Sequence, residues 1–286
     1  MTRGRSIRIY LATGEVTGIR HAELDNWTGQ AVSCPRSRLG QLANWQEARR
    51  PGVYFLVGAE QPGDREVYIG EAEDVQDRVK RHDATRDFWH EVVLFTSKDA
   101  HLTKAHVKYL EHRLLGLAKE VGRSRLVNAQ GSRSPQLPRA DQDAMEHFID
   151  NLRVLVGALG HRFLVPLPSP PGEEAGAATL TYKIRGALAH GAVSDEGFVV
   201  FAGSTALRDA KDAMGTGNKA LKEELKGSGK LELEGKVLRF TDDVLFNTPS
   251  QAAVIVYGNA ANGRKAWKDR GGRTLKELEE EALAEE

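Results

Sequence analysis

Two short stretches, Gly-Val-Tyr-Phe-Leu-Val at residues 52–57 and Val-Tyr-Ile-Gly at residues 67–70, decide the fold of the first half of this chain. Both are rich in β-branched and aromatic residues, which favour strands. Between them lies Gln-Pro-Gly-Asp at residues 61–64, and these residue types favour a tight turn. The sequence therefore predicts a β-hairpin.

Alternation along the two strands predicts which side chains share a face. Successive side chains of a strand point to opposite faces, so Tyr54 lies opposite the apolar residues at positions 53, 55 and 57. In the second strand, Tyr68 likewise lies opposite Val67 and Ile69. If the apolar residues share the core face, Tyr54 and Tyr68 lie together on the other face.

The segments around the hairpin predict a mixed architecture of the α+β class. A short helix is expected over residues 73–81, a strand over residues 91–95 and a long helix over residues 104–121. The long helix has an apolar stripe with Glu111 at its margin. A further helix is expected over residues 141–159.

Length and composition divide the chain into two domains. At 286 residues it exceeds the usual size of one domain. Residues 1–50 predict short strands that extend the first domain, which covers residues 51–165. The Pro/Gly/Ala-rich segment 166–178 is typical of a linker. Residues 179–286 then form a smaller α+β domain.

The second domain has its own local signals. The pattern predicts a strand over residues 198–201, a helical stretch over residues 205–226 and a hairpin around Gly235. Another helix begins after Thr248, which can cap it, and ends at Gly258.

Composition limits the function classes. Lys plus Arg and Asp plus Glu each number 40, so the net charge is zero and any attraction for phosphate must come from local patches. Cys34, the single cysteine of the sequence, cannot form an internal disulfide or a Cys-rich zinc site. No stretch approaches the roughly 18 apolar residues of a membrane helix, and no signal peptide is recognisable. We therefore expect a cytoplasmic protein with no membrane partner.

The order of residues from 52 to about 130 resembles the GIY-YIG nuclease family. Gly-Val-Tyr at residues 52–54 resembles the first family motif, and Val-Tyr-Ile-Gly at residues 67–70 resembles the second. Glu71 departs from the family, in which many members have Lys, Ser or Gln, and adds an acid at the mouth of the site. The candidate catalytic residues that match the family pattern are Tyr54, Tyr68, Arg78, His82, Glu111 and Asn128.

The resemblance implies a small mixed, largely antiparallel sheet flanked by helices, and a metal-dependent endonuclease. Glu111 would hold one divalent ion, Mg²⁺ or Mn²⁺. Arg78 would stabilise charge on the phosphoryl oxygens. A tyrosine or His82 would take the proton from water. The family favours Tyr54 in that role, whereas the residues alone leave Tyr54, Tyr68 and His82 open.

Residues 180–278 resemble a C-terminal domain of unknown function that is often fused to such nucleases and is similar to RAMA domains of restriction enzymes and adenine methylases. Cations surround Trp267, a combination suited to phosphate contact and base stacking. In the alternative interpretation, Trp267 belongs to the core and the cations are solvated. The candidate nucleic-acid-binding residues are Arg264, Lys265, Trp267, Lys268 and Arg270.

These observations support a DNA endonuclease, acting in restriction or genome defence, whose second domain selects plain or modified DNA. Two alternatives stay open. One is a non-catalytic nucleic-acid-binding protein built on a nuclease scaffold, and the other is a nuclease that acts on RNA. A homodimer is compatible with the sequence, which does not show one.

Overall fold

A computed structural model describes most of the chain as two compact units, and the division between them along the sequence falls between Pro166 and Leu167. Both units mix helices with largely antiparallel sheets, so the predicted α+β fold class is confirmed. The predicted turn at residues 61–64 and nearly all of the predicted linker lie outside the described residues. The described residues are 4–59, 65–129, 135–167 and 179–285.

One sheet forms the centre of the first unit, and within the described residues it has seven strands in the order β1-β2-β3-β6-β4-β5-β7. Neighbouring strands are antiparallel except β5 and β7. The strands are β1 (Ile7–Leu11), β2 (Arg20–Leu24), β3 (Gly29–Pro35), β4 (Gly52–Gly58), β5 (Glu66–Ala72), β6 (Trp89–Ser97) and β7 (Arg125–Leu126).

Helices cover both faces of this sheet. The helices are α1 (Val75–Asp83), α2 (Lys104–Val121) and α3 (Arg139–Ala158), with 3₁₀ turns at Arg36–Asn44 and Gln46–Arg49. Helices α2 and α3 pack on the face that carries Val53, Phe55 and Ile69. Helix α1 and the 3₁₀ turns pack on the face that carries Tyr54 and Tyr68. The face assignment made from alternation is therefore confirmed.

Caps explain where the helices begin and end. Helix α1 begins two residues later than predicted because the Asp74 carboxylate accepts a 3.0 Å hydrogen bond from the Asp77 backbone N–H. Helix α2 has the predicted bounds. Thr103 caps its start, and Gly122, with a φ of 63°, ends it in the left-handed conformation.

A buried polar cluster around Glu91 joins β2, β3 and β6 to the segment after α3. The Glu91 carboxylate accepts hydrogen bonds from Arg20, at 2.6 Å, and from the Ser33 hydroxyl, and His161 Nε2 lies 3.1 Å from its second oxygen. Burial alone would raise the pKa of Glu91. The contacts with His161, Ser33 and Arg20 instead hold this pKa at about 2, below its ordinary value of 4.5.

Replacing Glu91 by Gln is expected to lower the free energy of unfolding by about 3 kcal/mol at pH 7, since a shift of one pKa unit is worth about 1.4 kcal/mol. The folded state favours the charged carboxylate, so this stabilisation is present above pH 4.5 and is lost as the pH falls towards 2. Urea denaturation at pH 7 and at pH 3 measures the difference. Glu15→Gln, which removes an exposed partner of Arg38, is the control and should cost less than about 1 kcal/mol. Equal effects of the two substitutions would contradict the prediction.

The second unit contains two smaller sheets within residues 179–285, in the orders β14-β10-β9-β8 and β11-β13-β12. Its strands are β8 (Leu180–Ile184), β9 (Ala187–Ser194), β10 (Gly197–Val200), β11 (Thr205–Leu207), β12 (Leu231–Glu234), β13 (Val237–Phe240) and β14 (Val244–Phe246). Its helices are α4 (Thr216–Gly227), α5 (Pro249–Tyr257), α6 (Gly263–Ala266) and α7 (Leu275–Glu285). Their apolar side chains form a core separate from that of the first unit.

The helix predicted over residues 205–226 is wrong in its first half. Thr205–Leu207 is a strand that pairs with β13, so pairing with a distant segment overrides the local preference. Gly215, with a φ of 81°, then interrupts any helical conformation directly before α4 begins. The hairpin around Gly235 is confirmed, as is the cap of α5, where Thr248 Oγ1 accepts from the Gln251 N–H at 3.1 Å.

Candidate active site

Tyr54, Tyr68 and His82 form one aromatic cluster on the α1 side of the sheet. The two tyrosine rings stack with centroids 6.1 Å apart, and His82 lies 4.8 Å from the Tyr68 ring. The Tyr54 hydroxyl and His82 Nε2 are 2.8 Å apart and hydrogen-bonded. All three side chains are buried. The predicted face of the hairpin and the predicted helix thus bring these candidates into contact.

The motif glycines make room for this cluster. A Cβ at Gly70 would lie 2.5 Å from the Tyr54 hydroxyl oxygen, so a side chain at this position would displace the hydroxyl. At Gly52 a Cβ would collide with the carbonyl oxygen of Phe95 on the neighbouring strand. Both positions therefore require glycine for close packing rather than for an unusual φ.

Arg78 lies one helical turn before His82 and is exposed on α1. Its guanidinium interacts with the Tyr54 and Tyr68 hydroxyls, and the hydrogen bond to Tyr54 is the main reason why the pKa of Arg78 is raised above its ordinary value. The structure thus joins four of the six predicted catalytic residues. An exposed guanidinium beside two hydroxyl groups is suited to binding a phosphoryl group.

Arg86 completes the cluster and was not predicted from the sequence. Its Nε donates a 3.1 Å hydrogen bond to His82 Nδ1, and its guanidinium lies 4.7 Å from the Tyr68 ring centroid. The chain turns once more after α1, where the Arg86 N–H bonds the His82 carbonyl. A spacing of four residues from His82 is the sequence signal that could have found Arg86. The predicted helix ended at residue 81, however, and so did not extend to Arg86.

Burial fixes the protonation of the cluster. Burial, reinforced by the charges of Arg78 and Arg86, lowers the pKa of His82 to about 4, so the ring is neutral at pH 7. Burial also raises the pKa of Tyr54, which keeps its proton. Both ring nitrogens of His82 are already hydrogen-bonded. Tyr54, which keeps its proton, and His82, whose ring nitrogens both have partners, are therefore both poorly suited to take a proton from water.

Asn128 holds the second motif in place. Its side-chain oxygen accepts from the Ile69 N–H at 3.1 Å, and its side-chain nitrogen donates to the Ile69 carbonyl at 2.6 Å. Asn128 thereby pairs with the open edge of β5, next to Tyr68, just beyond the two residues of β7. These contacts make Asn128 a positioning residue for the tyrosine strand.

Glu111 lies on α2, whose apolar residues pack on the opposite face of the sheet from the tyrosines, mainly against β5. Its side chain is partly exposed. Among the described residues, no three or more His, Cys, Asp or Glu side chains form a group that could hold a metal ion. A single accessible carboxylate nevertheless fits Mg²⁺, which keeps several waters and takes one or two protein carboxylates together with substrate phosphates.

Glu71 is the second-last residue of β5, near the start of α2. The Lys104 ammonium forms a 2.8 Å ion pair with Glu73, and this pair, assisted by the charge of Glu71, raises the pKa of Lys104. The additional acid expected at the mouth of the site is thus part of a mixed-charge rim between β5 and α2.

Trp267 of the second unit is fully buried, so the prediction that its ring stacks on bases is wrong and the alternative, a core tryptophan, is correct. Its ring packs 4.5 Å from Phe198 and 5.6 Å from Tyr182. Its indole N–H donates a 2.9 Å hydrogen bond to the Pro249 carbonyl. In the sequence, a tryptophan among cations fits both interpretations.

The cations around Trp267 divide into two groups. Arg264 is paired with Glu279 at 2.6 Å. Lys265, Lys268 and Arg270 are exposed, and in the described part of the chain they have no ion-pair partner. Backbone bridging between Lys268 and Thr181 places Lys268 beside β8. These three cations are the ones available to an anionic partner.

Comparison with known proteins identifies one part of the chain. Residues 180–279 match the family model described as Domain of unknown function (DUF4357), which coincides with the second unit. No curated protein and no solved structure matches the chain. The resemblance of the first unit to GIY-YIG nucleases therefore rests on its own residues. Within the described residues, no helix is long and apolar enough to cross a membrane.

Proposed function

We propose that this protein is a metal-dependent endonuclease of the GIY-YIG type that hydrolyses phosphodiester bonds of DNA. One observation supports this most directly. The Arg78 and Arg86 guanidinium groups converge on the Tyr54–Tyr68–His82 cluster, in a protein whose net charge is zero. A local concentration of positive charge beside aligned hydroxyls is suited to a phosphodiester, whose transition state gains negative charge on the phosphoryl oxygens.

Each residue has a separate role in this proposal. Arg78 binds the non-bridging oxygens, because its planar fork matches two of them at once. Tyr54 and Tyr68 orient the attacking water, and the neutral His82 holds the Tyr54 hydroxyl in place. The Glu111 carboxylate, together with water ligands, would hold one Mg²⁺ or Mn²⁺. When bound, this ion supplies Lewis acidity and neutralises the leaving oxygen.

The proposal extends to a role in restriction or genome defence, with the second unit selecting the target. The first unit addresses phosphate and water, which carry no sequence information. The resemblance of the second unit to RAMA domains and the exposed cations Lys265, Lys268 and Arg270 support a separate DNA contact there.

Incubation of the full chain with plasmid DNA, plain and modified, and with RNA tests the proposal. Each substrate is offered with Mg²⁺, with Mn²⁺ and with a chelator. Cleavage of DNA that requires the metal is the expected result. Binding of DNA with no cleavage of any of these substrates would favour a non-catalytic nucleic-acid-binding protein. Cleavage of RNA alone would favour a nuclease that acts on RNA.

Replacing Lys265, Lys268 and Arg270 together by Ala is expected to weaken DNA binding at low salt. The dependence of log K on log salt should also become shallower by up to about 3, since each lost phosphate contact removes about one unit of slope. Cleavage within the bound complex should be unchanged, because the substitutions lie outside the first unit. Fluorescence anisotropy and single-turnover assays measure the two quantities.

The matched control removes three cations of the same unit that are held in ion pairs, Lys219, Lys226 and Lys276. This control changes the net charge equally, so a purely global charge effect would appear in both triple variants. A loss of affinity as large in the control, or none in the test variant, would refute the assignment of these cations to DNA binding.

A further inference from the structure

We infer that Arg86 is a positioning residue of the candidate active site: it holds His82 in the tautomer that carries its proton on Nε2, which makes His82 a donor to the Tyr54 hydroxyl and leaves the Tyr54 proton for Tyr68 or the substrate. This inference rests on the proposed function for its catalytic consequence, but its structural part can be tested without any cleavage.

The first step is the direction of the Arg86–His82 hydrogen bond. A guanidinium is always charged and has donors but no acceptor. Arg86 Nε lies 3.1 Å from His82 Nδ1, so Nδ1 must be the acceptor and must be without a proton. A neutral imidazole has one N–H, which is then on Nε2. His82 is the neutral form at pH 7, since its pKa is lowered to about 4.

The second step is the direction of the His82–Tyr54 hydrogen bond. With its proton on Nε2, His82 donates across the 2.8 Å to the Tyr54 oxygen. His82 therefore cannot accept the Tyr54 proton, as a base paired with a nucleophile would do. A proton on Nδ1 would reverse this bond and make Tyr54 the donor to His82.

The third step concerns where the Tyr54 proton goes instead. The groups facing its oxygen are His82, Arg78 and Tyr68, and the first two only donate. The Tyr54 O–H is left for the Tyr68 oxygen or for an oxygen of a bound phosphodiester. The hydrogen bonds from Arg86 to His82 and from His82 to Tyr54 thus run in one direction. They end at the position where the substrate is proposed to bind.

Arg86 is placed for this role by two further contacts. Its guanidinium lies over the face of Tyr68, so the residue that sets the tautomer also packs against the second tyrosine. Its backbone N–H donates a 2.9 Å hydrogen bond to the His82 carbonyl, which ties the two residues together through the main chain.

The test uses long-range ¹H–¹⁵N correlation spectra of the full chain labelled at histidine. The sequence has nine histidines, and the His82 signal is assigned by its absence in His82→Gln. In the wild type at pH 7 we expect a protonated Nε2 and an unprotonated Nδ1. In Arg86→Met, which keeps an unbranched stem out to the position of Nε but removes the donor, we expect a mixture of tautomers. Arg86→Lys, which restores a charged donor, should recover part of the preference.

Arg81→Met is the matched control, since Arg81 is exposed on the same helix as His82 and its guanidinium lies 4.0 Å from the Asp77 carboxylate. It should leave the His82 spectrum unchanged. On DNA, Arg86→Met should lower the single-turnover rate roughly 10–100-fold, a larger factor than its loss of affinity, and Arg81→Met should leave the rate unchanged.

A proton on Nδ1 of wild-type His82 would overturn the inference by itself, whether or not the variants fold. An Arg86→Met variant that retains the wild-type tautomer would also overturn it. A wild-type protein that shows the expected tautomer but cuts no nucleic acid would refute the proposed function and leave the role of Arg86 in the cluster intact.

Discussion

Replacement of Glu111 by Ala is expected to lower DNA cleavage by at least about 10³-fold while the protein stays folded. Metal-assisted hydrolysis depends on charge that the protein's other groups do not supply, so loss of the carboxylate that holds the ion removes most of the rate. Glu111 is partly exposed on α2, and its neighbours Leu110 and Leu114 carry the packing of that helix. Truncation at position 111 therefore opens no cavity in the core.

The measurement compares cleavage, DNA binding and thermal unfolding for the same preparation. Affinity for DNA should be retained, since removing a negative charge does not weaken attraction to phosphate. Glu120→Ala is the control, because Glu120 is exposed on the same helix and has the same charge. Glu111→Gln keeps the shape of the side chain and should be as inactive as the alanine variant. Cleavage at the wild-type rate in either Glu111 variant would refute its role.

The sequence predicted those parts of the fold that depend on local chemistry. The period of two along residues 52–57 and 67–70 placed the tyrosines on one face, and the long helix predicted with its apolar stripe has the bounds of α2. It failed where a distant segment decides the structure. Thr205–Leu207 is a strand because β13 pairs with it, and no property of these three residues alone indicates that pairing.

The candidate site divides in the same way. Alternation placed Tyr54 and Tyr68 on one face of the hairpin, and the resemblance to GIY-YIG nucleases grouped them with Arg78 and His82, which the structure brings together. The contribution of Arg86 depends on a turn after α1 and on the direction of a hydrogen bond, neither of which a residue pattern specifies. The burial of Trp267 could not be predicted either. A ring among cations is equally compatible with an exposed and with a core position until its neighbours are known.

Replacement of Arg78 by Lys is expected to lower the single-turnover rate of cleavage by about 10³-fold with DNA affinity changed only a few-fold. An arginine that stabilises charge on a transferring phosphoryl group is typically worth at least this much. Lysine keeps the charge, and hence most of the long-range attraction, but cannot present two parallel donors to two oxygens. Arg78 is exposed on α1, so replacing it by the smaller lysine side chain leaves the packing of Val75 and Val79 intact.

Rate and affinity must be measured separately for this variant, the rate with saturating enzyme and the affinity by anisotropy on DNA in the absence of metal. Arg81→Lys makes the same chemical change one turn away from the tyrosine pair and should alter neither quantity. A large loss of affinity with a small loss of rate in Arg78→Lys would make Arg78 a phosphate anchor. In that case the charge that develops during cleavage would have to be stabilised elsewhere, and Arg86, the other guanidinium in contact with the cluster, would be the group to examine.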